Sequence, residues 1–392
     1  MSYNTLSFQK SAIIYIKNQY PKDSFYVVTK EKAISYGTLD YNIEFNKGNI
    51  LGLVNAVLNE PYFYNVKAIE DTEVMEVKID DIVNIESKDL MIKIDRYLDT
   101  SLEMWLSKYY MLLSSHHKNK NISYQFRQTK EEILKMADIY KHNGFNDASY
   151  KLCKKCIELF PESENEIKNA LSILTPVEET AKSEDNTYSY KKGYCIYTEL
   201  ESNEHLYIIK SGRIGVYNIL NSNLITRAIY SEGSIIDGYK PVGKYQALST
   251  SVVVLEDSLI KVLKREELIE AMEHENSLKL YYIKMASMKI RNAVLKIIVL
   301  HTEDIISKLI ITLYYMLRTE TLPKDSNSVD LLYTINDIKT IIDVEDASIV
   351  EKELNKIRSV KISEDNNINI SDIKNFVLEY KNCMNRITSH HK

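Results

Sequence analysis

Hydrophobic and polar positions change period several times along the chain. Over residues 8 to 80 apolar residues come in short runs: Ile13, Ile14, Tyr15 and Ile16, then Phe25 to Val28, then Val74 to Val77 in alternation with polar residues. Loops carrying Gly37, Gly48 and Gly52 separate them. Such runs, bounded by turn residues, predict strands. Over residues 89 to 114 the spacing becomes three and four: Leu98, Leu102, Trp105, Leu106, Tyr109 and Leu113 predict one long helix. A polar break from Ser114 to Asn121 ends it. Residues 129 to 160 predict two helices joined around Asn143-Gly144-Phe145. The strand pattern returns from 188 to 264, and helical spacing resumes after Lys264.

The two strand-rich stretches are copies of one pattern. Phe25 to Val28, Lys47-Gly48 to Gly52 and Ala68 to Val77 recur as Leu206 to Ile209, Glu232-Gly233 to Gly238 and Val254 to Leu263. Asp71 and Asp257 occupy matching turns. A period this long marks duplicated domains rather than a solenoid.

After the second copy, Tyr281, Met285, Met288, Asn292, Leu295 and Val299 alternate in steps of four and three. That is a coiled-coil seam with Asn292 as its polar position, and it predicts a homodimer. A second stripe, Ile283, Ala286, Ile290, Ala293 and Ile297, would pack on the helix's own β module. Further on, Thr334 and Asp337 form a capping-box pair before Ile335, Ile338, Ile341 and Ile342. Asp343-Val344-Glu345 reads as a turn, and Ile349, Val350, Leu354 and Ile357 face a second helix. Val360-Lys361-Ile362 and Ile368-Asn369-Ile370 read as a hairpin, and a last helix carries Phe376, Val377 and Tyr380. Helix, turn, helix, hairpin is the order of a winged helix-turn-helix.

Composition narrows the function classes. The 392 residues, 44% hydrophobic and 27% charged, suit several globular domains. The net charge of −5 gives no global reason to bind nucleic acid or an anionic membrane. Four cysteines, Cys153, Cys156, Cys195 and Cys383, do not outline a disulfide scaffold, and the cytosol is the expected compartment. The N-terminus lacks a basic start with an apolar run, and the apolar stretch 297 to 317 carries Glu303, Asp304 and Lys308, so no membrane span is expected. Cys153 and Cys156 have metal or redox spacing but no second pair, and Cys156 suits a packing position. His116-His117 and His390-His391 lack companion ligands. No nucleophile elbow, phosphate loop or paired-carboxylate constellation stands out, so neither catalysis nor a metal is expected.

Residues 190 to 380 resemble the Crp/Fnr family of bacterial regulators. The resemblance rests on Lys192-Gly193-Tyr194-Cys195-Ile196-Tyr197, Leu206 to Lys210 with Ser211-Gly212-Arg213-Ile214, the glycine turn, Leu255-Glu256-Asp257-Ser258, and the order of the elements that follow. It implies a cyclic-nucleotide-binding β-roll, a dimerisation helix and a winged helix-turn-helix. The first copy resembles a further such β-roll. Residues 129 to 160 resemble a single tetratricopeptide repeat, with Tyr140 before Gly144, Ser149 and Cys156 at packing positions and Pro161 closing the second helix. One repeat cannot bury its own face, so a helical spacer is expected.

The expected fold is therefore α+β: two double-stranded β-helix (β-roll) cyclic-nucleotide-binding-like domains, a helical spacer and a winged helix-turn-helix. The boundaries are 1-115 for the first β-roll, 125-177 for the spacer, 186-265 for the second β-roll, 266-300 for the dimerisation helix and 301-392 for the winged domain. Residues 178 to 187 read as a linker.

The resemblance also implies a ligand, a cyclic nucleotide or another small effector, at Gly233, Asp237, Gly238, Ser249, Thr250 and Ser251. The family grips the ribose with a Gly-Glu pair and the phosphate with an arginine. Here the pair reads Gly52-Leu53 in the first copy and Asp237-Gly238 in the second, and the arginine falls near Tyr62 and near Leu248. Arg213, Lys240 and Lys244 are alternative cations. In the reading helix the resemblance implies phosphate contacts from Lys352, Lys356 and Arg358, opposed by Glu351 and Glu353, while the opening residues Glu345 and Asp346 suit the helix dipole. Residues 301 to 392 hold 12 Lys and Arg against 15 Asp and Glu, an unfavourable balance for a protein whose affinity would come from phosphates. Two readings follow: a signal-responsive regulator that binds DNA, and an interaction scaffold that has lost both nucleotide and DNA binding. A protein partner would use the N-terminal module or the spacer.

Overall fold

The computed structural model describes residues 4–37, 42–82, 88–116, 129–178, 185–201, 205–220, 222–237, 250–322, 325–363 and 366–389. The first β module contains β1 (Asn4–Phe8), β2 (Ile13–Tyr15), β3 (Ser24–Lys30), β4 (Ala33–Tyr36), β5 (Glu44–Phe45), β6 (Ile50–Leu51), α1 (Leu53–Leu58), β7 (Asn65–Ala68), β8 (Thr72–Lys78) and α2 (Ile79–Ile82). Helix α3 (Lys88–His116) follows, then α4 (Lys130–His142), α5 (Asn146–Leu159), a 3-10 turn at Pro161–Ser163 and α6 (Glu164–Ile173). The second β module runs through β9 (Thr187–Tyr190), β10 (Cys195–Tyr197), β11 (His205–Ser211), β12 (Ile214–Leu220), β13 (Asn223–Tyr230), β14 (Ile235–Asp237), β15 (Ser251–Val254) and β16 (Ser258–Lys264). Then come α7 (Arg265–His274), α8 (Asn276–His301), α9 (Ile305–Leu317), β17 (Val329–Thr334), α10 (Ile335–Ile341), α11 (Ala347–Leu354), β18 (Val360–Ile362), β19 (Asn367–Ile370) and α12 (Ile373–Ser389).

Each β module is a pair of four-stranded antiparallel sheets, so the α+β fold with duplicated sheet pairs is as expected. The orders are β1-β8-β3-β6 with β2-β7-β4-β5, and β14-β11-β16-β9 with β10-β15-β12-β13. The copies match strand for strand: Phe25 pairs Val77 in the first, as Leu206 pairs Leu263 in the second.

The chain forms two compact units. One consists chiefly of Met1–Leu106 and Glu266–Val294; the other of Ser107–Pro241, Gln246–Arg265 and Leu295–Lys392. Most of α8 therefore belongs with the first β module, not with the β module it follows in sequence. The helical stretch expected at 266-300 is two helices, α7 and α8, broken at Glu275.

In the second unit α4 starts at Thr129, whose side chain accepts from the Glu132 N–H at 3.3 Å. Its hairpin with α5 turns through Gly144 at φ 82°. Tyr140, Ser149, Leu152 and Cys156 are buried, and α6 adds a third helix beyond the two that the periodicity predicts. The repeat buries its face on the β-roll: Ile133, Met136, Tyr140 and Leu152 share one core with Cys195, Tyr217 and Val253. The capping box and the hairpin occur as expected toward the C-terminus. Thr334 and Asp337 exchange both bonds of the box, and β18 pairs β19 with Lys361 opposite Asn369. A third strand, β17, completes the sheet in the order β17-β19-β18.

Candidate ligand pocket and coupling face

The interior of the second β-roll is lined by Tyr197, Tyr207, Ile209, Ile214, Val216, Tyr230, Val252, Val254 and Ile260. Gly233 takes φ 82° at the glycine turn and donates its N–H to the Ile209 carbonyl at 2.8 Å. Asp237 ends β14 opposite Leu206. Gly238, Lys240, Lys244, Leu248 and Ser249 lie outside the described residues. Thr250 is buried.

Ser251 does not face this interior. Successive side chains of a strand point to opposite faces. Val252 and Val254 line the roll, while Val253 joins the core with the spacer helices. Ser251 shares the parity of Val253 and stands beside the Tyr140 hydroxyl of α4. Arg213 is also committed elsewhere: its guanidinium lies 3.1 Å from the Glu320 carboxylate and 3.6 Å from that of Glu256. It is not a spare cation for a phosphate.

The first β-roll is filled. Leu53, at the position of the family's carboxylate, is fully buried and starts α1. Tyr62, at the arginine position, stacks on Tyr15 with ring centroids 3.9 Å apart. Gly52 has φ 73°, and a Cβ there would come within 2.9 Å of the Tyr62 ring. Aromatic packing occupies this place.

On the outer face of the second roll, polar groups bind it to the spacer. The buried Asp147 carboxylate accepts the Cys195 N–H at 2.7 Å and the Val177 N–H at 3.0 Å. Lys151 donates to the Cys195 carbonyl and lies over the Tyr194 ring at 4.1 Å. Glu199, 7% exposed, accepts the Ile219 N–H of β12 at 3.0 Å. Burial pushes the Glu199 carboxyl up to about 8, opposed by the Ile219 N–H and the Tyr140 hydroxyl. Nothing in the sequence marks Glu199, since a buried acid in a loop looks like a surface acid until its neighbours are placed.

The C-terminal region caps an open sheet edge. β13 is the last strand of its sheet, so its outward N–H and C=O groups need partners. The Ile229 N–H donates to the Tyr333 hydroxyl at 2.6 Å, and Lys296 donates to the Arg227 carbonyl at 2.5 Å. Thr226 donates to Asp337, whose other oxygen accepts the Thr334 N–H at 2.8 Å in the capping box. Beyond the strand, Ser231 donates to the Thr319 carbonyl at 3.0 Å and accepts the Thr321 N–H at 2.9 Å. Lys296 is buried with its ammonium about equally far from the Tyr109 and Tyr315 rings, and burial lowers it to about 7.

On α11, Lys352 and Glu351 are exposed, as is Arg358 just beyond the helix. Lys356 is held by Glu353 at 2.6 Å. Ile349, expected on the apolar face, is 40% exposed, whereas Val350 and Leu354 are buried. Asp346 caps the helix by accepting the Ser348 N–H at 2.8 Å, which accounts for one of its acidic opening residues.

The expected dimer seam is divided. Tyr281 is 39% exposed, and Met285 and Met288 are half-buried. Asn292, Leu295 and Val299 are buried in this chain, the last two in the core with Leu309, Leu313, Leu331 and Ile338. Cys153 and Cys156 are buried in the spacer core, and no metal-ligating cluster occurs among the described residues. No helix among them is long and apolar enough to cross a membrane.

A family model described as cyclic nucleotide-binding domain matches residues 187–275. No curated protein matches the chain. Among solved structures, FixK2 from Bradyrhizobium japonicum is 17% identical, with 49% of this chain and 95% of that one covered and a TM-score of 0.38. A CooA mutant from Carboxydothermus hydrogenoformans is 16% identical over 50% and 87% of the two chains, TM-score 0.38. TTHB099 from Thermus thermophilus, a transcriptional regulator of the CRP family, is 16% identical over 49% and 96%, TM-score 0.37. Residues 187–275, which hold the second β-roll, thus match the cyclic nucleotide-binding domain model, and the solved structures similar to the chain include a transcriptional regulator of the CRP family.

Proposed function

We propose that the chain is a signal-responsive, non-catalytic regulator of the Crp/Fnr type, in which the second β-roll controls a C-terminal DNA-contacting helix. The observation that supports this most is the capping of β13 by Tyr333, Lys296 and Asp337. Asp337 holds both the β-roll strand and the start of α10, so a shift of β13 is transmitted to the helix pair that carries Lys352, with Arg358 just beyond it. Two sites joined through one shared contact are what coupling requires. The effector is a small molecule other than one gripped by the family's Gly-Glu pair and arginine, since Arg213 is committed to Glu320 and Asp237-Gly238 replaces the pair.

The test is fluorescence anisotropy of the full chain with random duplex DNA across a salt series. Saturable binding at low salt that falls steeply with added salt is expected. Absence of binding at low salt overturns the DNA-contacting part and leaves the scaffold reading. That second reading is favoured by the Glu353–Lys356 pair and the exposed Ile349, which suit a protein contact better than a phosphate chain.

A further inference from the structure

We infer that the first β module, rather than a second copy of the chain, is the partner of α8 over the part of the seam that ends at Val294. From Ile290 to Val294, where the part of α8 that belongs with the first β module ends, every residue is buried within one chain. A helix buried all round leaves no face for another subunit. Between Tyr281 and Lys289 only Tyr281 and Lys284 are exposed while Tyr282, Ile283 and Ser287 are buried, whereas a coiled coil is sustained over at least three or four heptads.

The buried stretch contains one charge, that of Arg291, and its partner identifies what covers the helix there. Arg291 is 7% exposed. Its Nε donates to the Glu60 carboxylate at 2.6 Å, and its guanidinium lies 4.8 Å from the Phe63 ring. Further toward the N-terminus of the helix, the buried Tyr282 donates its hydroxyl to the Asp95 carboxylate of α3 at 2.6 Å. A buried cation is tolerated only with such a partner in place.

The acceptor loop is built for this contact. Asn59 ends α1 in the left-handed region at φ 49°. The Glu60 N–H returns to the Asn55 carbonyl at 2.9 Å, Asn55 Nδ2 donates to the Pro61 carbonyl at 2.6 Å, and the Tyr62 N–H donates to the Gln19 carbonyl at 2.9 Å. These bonds hold the backbone of Glu60, Pro61 and Tyr62 without using Arg291. The duplication then has a structural purpose: the module that has filled its own ligand space supplies, within one chain, the surface against which α8 packs.

The experiment combines mass with a double-mutant cycle on the full chain: Glu60→Gln, Arg291→Met and both together. Light scattering should give 45.5 kDa at every concentration. Each single substitution should lower the melting temperature, and the double variant should lose clearly less than the two losses added. None of these shifts should change on about hundredfold dilution, because an internal contact has no concentration dependence. A dimer mass with a melting temperature that drops on dilution overturns the inference, as do losses that simply add.

Discussion

Glu199→Gln should make the protein more stable at neutral pH, and the gain should vanish in acid. The carboxyl titrates near its ordinary 4.5 in the unfolded chain and near 8 when folded, because burial penalises its charge. Below pH 4.5 it is protonated in both states and costs nothing. As pH rises from there to 8, folding must retain or regain a proton, and stability falls. One step of pH in this window is worth about 1.4 kcal/mol, so the parent has lost about 3 kcal/mol at pH 7 and somewhat more at pH 8. Glutamine keeps an oxygen for the Ile219 N–H at nearly the same place and never ionises. Thermal melts of parent and variant from pH 5 to 8.5 should diverge steadily. The gap at pH 7 should be of the order of 5–10 °C for a unit of this size. Taking the difference between the two proteins cancels the other titrating groups. A gap that does not change with pH, or a variant less stable at pH 8 than the parent, refutes the assignment of a neutral buried acid between spacer and β-roll.

Other substitutions have equally definite outcomes. Asp147→Ala removes the acceptor of the Cys195 and Val177 N–H groups and the partner of Lys151, and should cost about 3–5 kcal/mol in chemical denaturation. Gly52→Ala places a methyl within 2.9 Å of Tyr62 at a positive φ; a loss above about 1 kcal/mol is expected, and a neutral result would refute the filled first roll. If the DNA-contacting proposal holds, Lys352→Gln and Arg358→Gln should each weaken binding on all sequences alike and flatten the salt slope by about one. Lys356→Gln should matter less, because Glu353 already holds that ammonium.

Much of the fold is legible because its signals are local. Alternation and glycine turns mark both β modules, the Thr334–Asp337 pair marks α10, and Asn143-Gly144 marks the spacer hairpin. What escapes depends on partners distant in sequence. The strand from Val329 to Thr334 is not foreseen in the sequence, because it forms only with β19 beside it. The seam on α8 is a genuine apolar pattern, but periodicity does not say whether the covering surface comes from another chain or from far earlier in the same one. Ser251 reads as a ligand donor because strand direction is invisible without the register that turns Val252 inward. Glu199, Lys296 and Tyr333 carry no motif at all; their roles come from burial and from an edge strand that needs partners.

The measurement that tests the coupling most directly is amide hydrogen exchange of parent and Tyr333→Phe. Removing the hydroxyl strands the buried Ile229 N–H, at a cost of about 1–3 kcal/mol. The account predicts faster exchange in β13 and in α10 and α11 together, since all three are held through the same edge. Faster exchange confined to β13, with α10 and α11 unchanged, would contradict it.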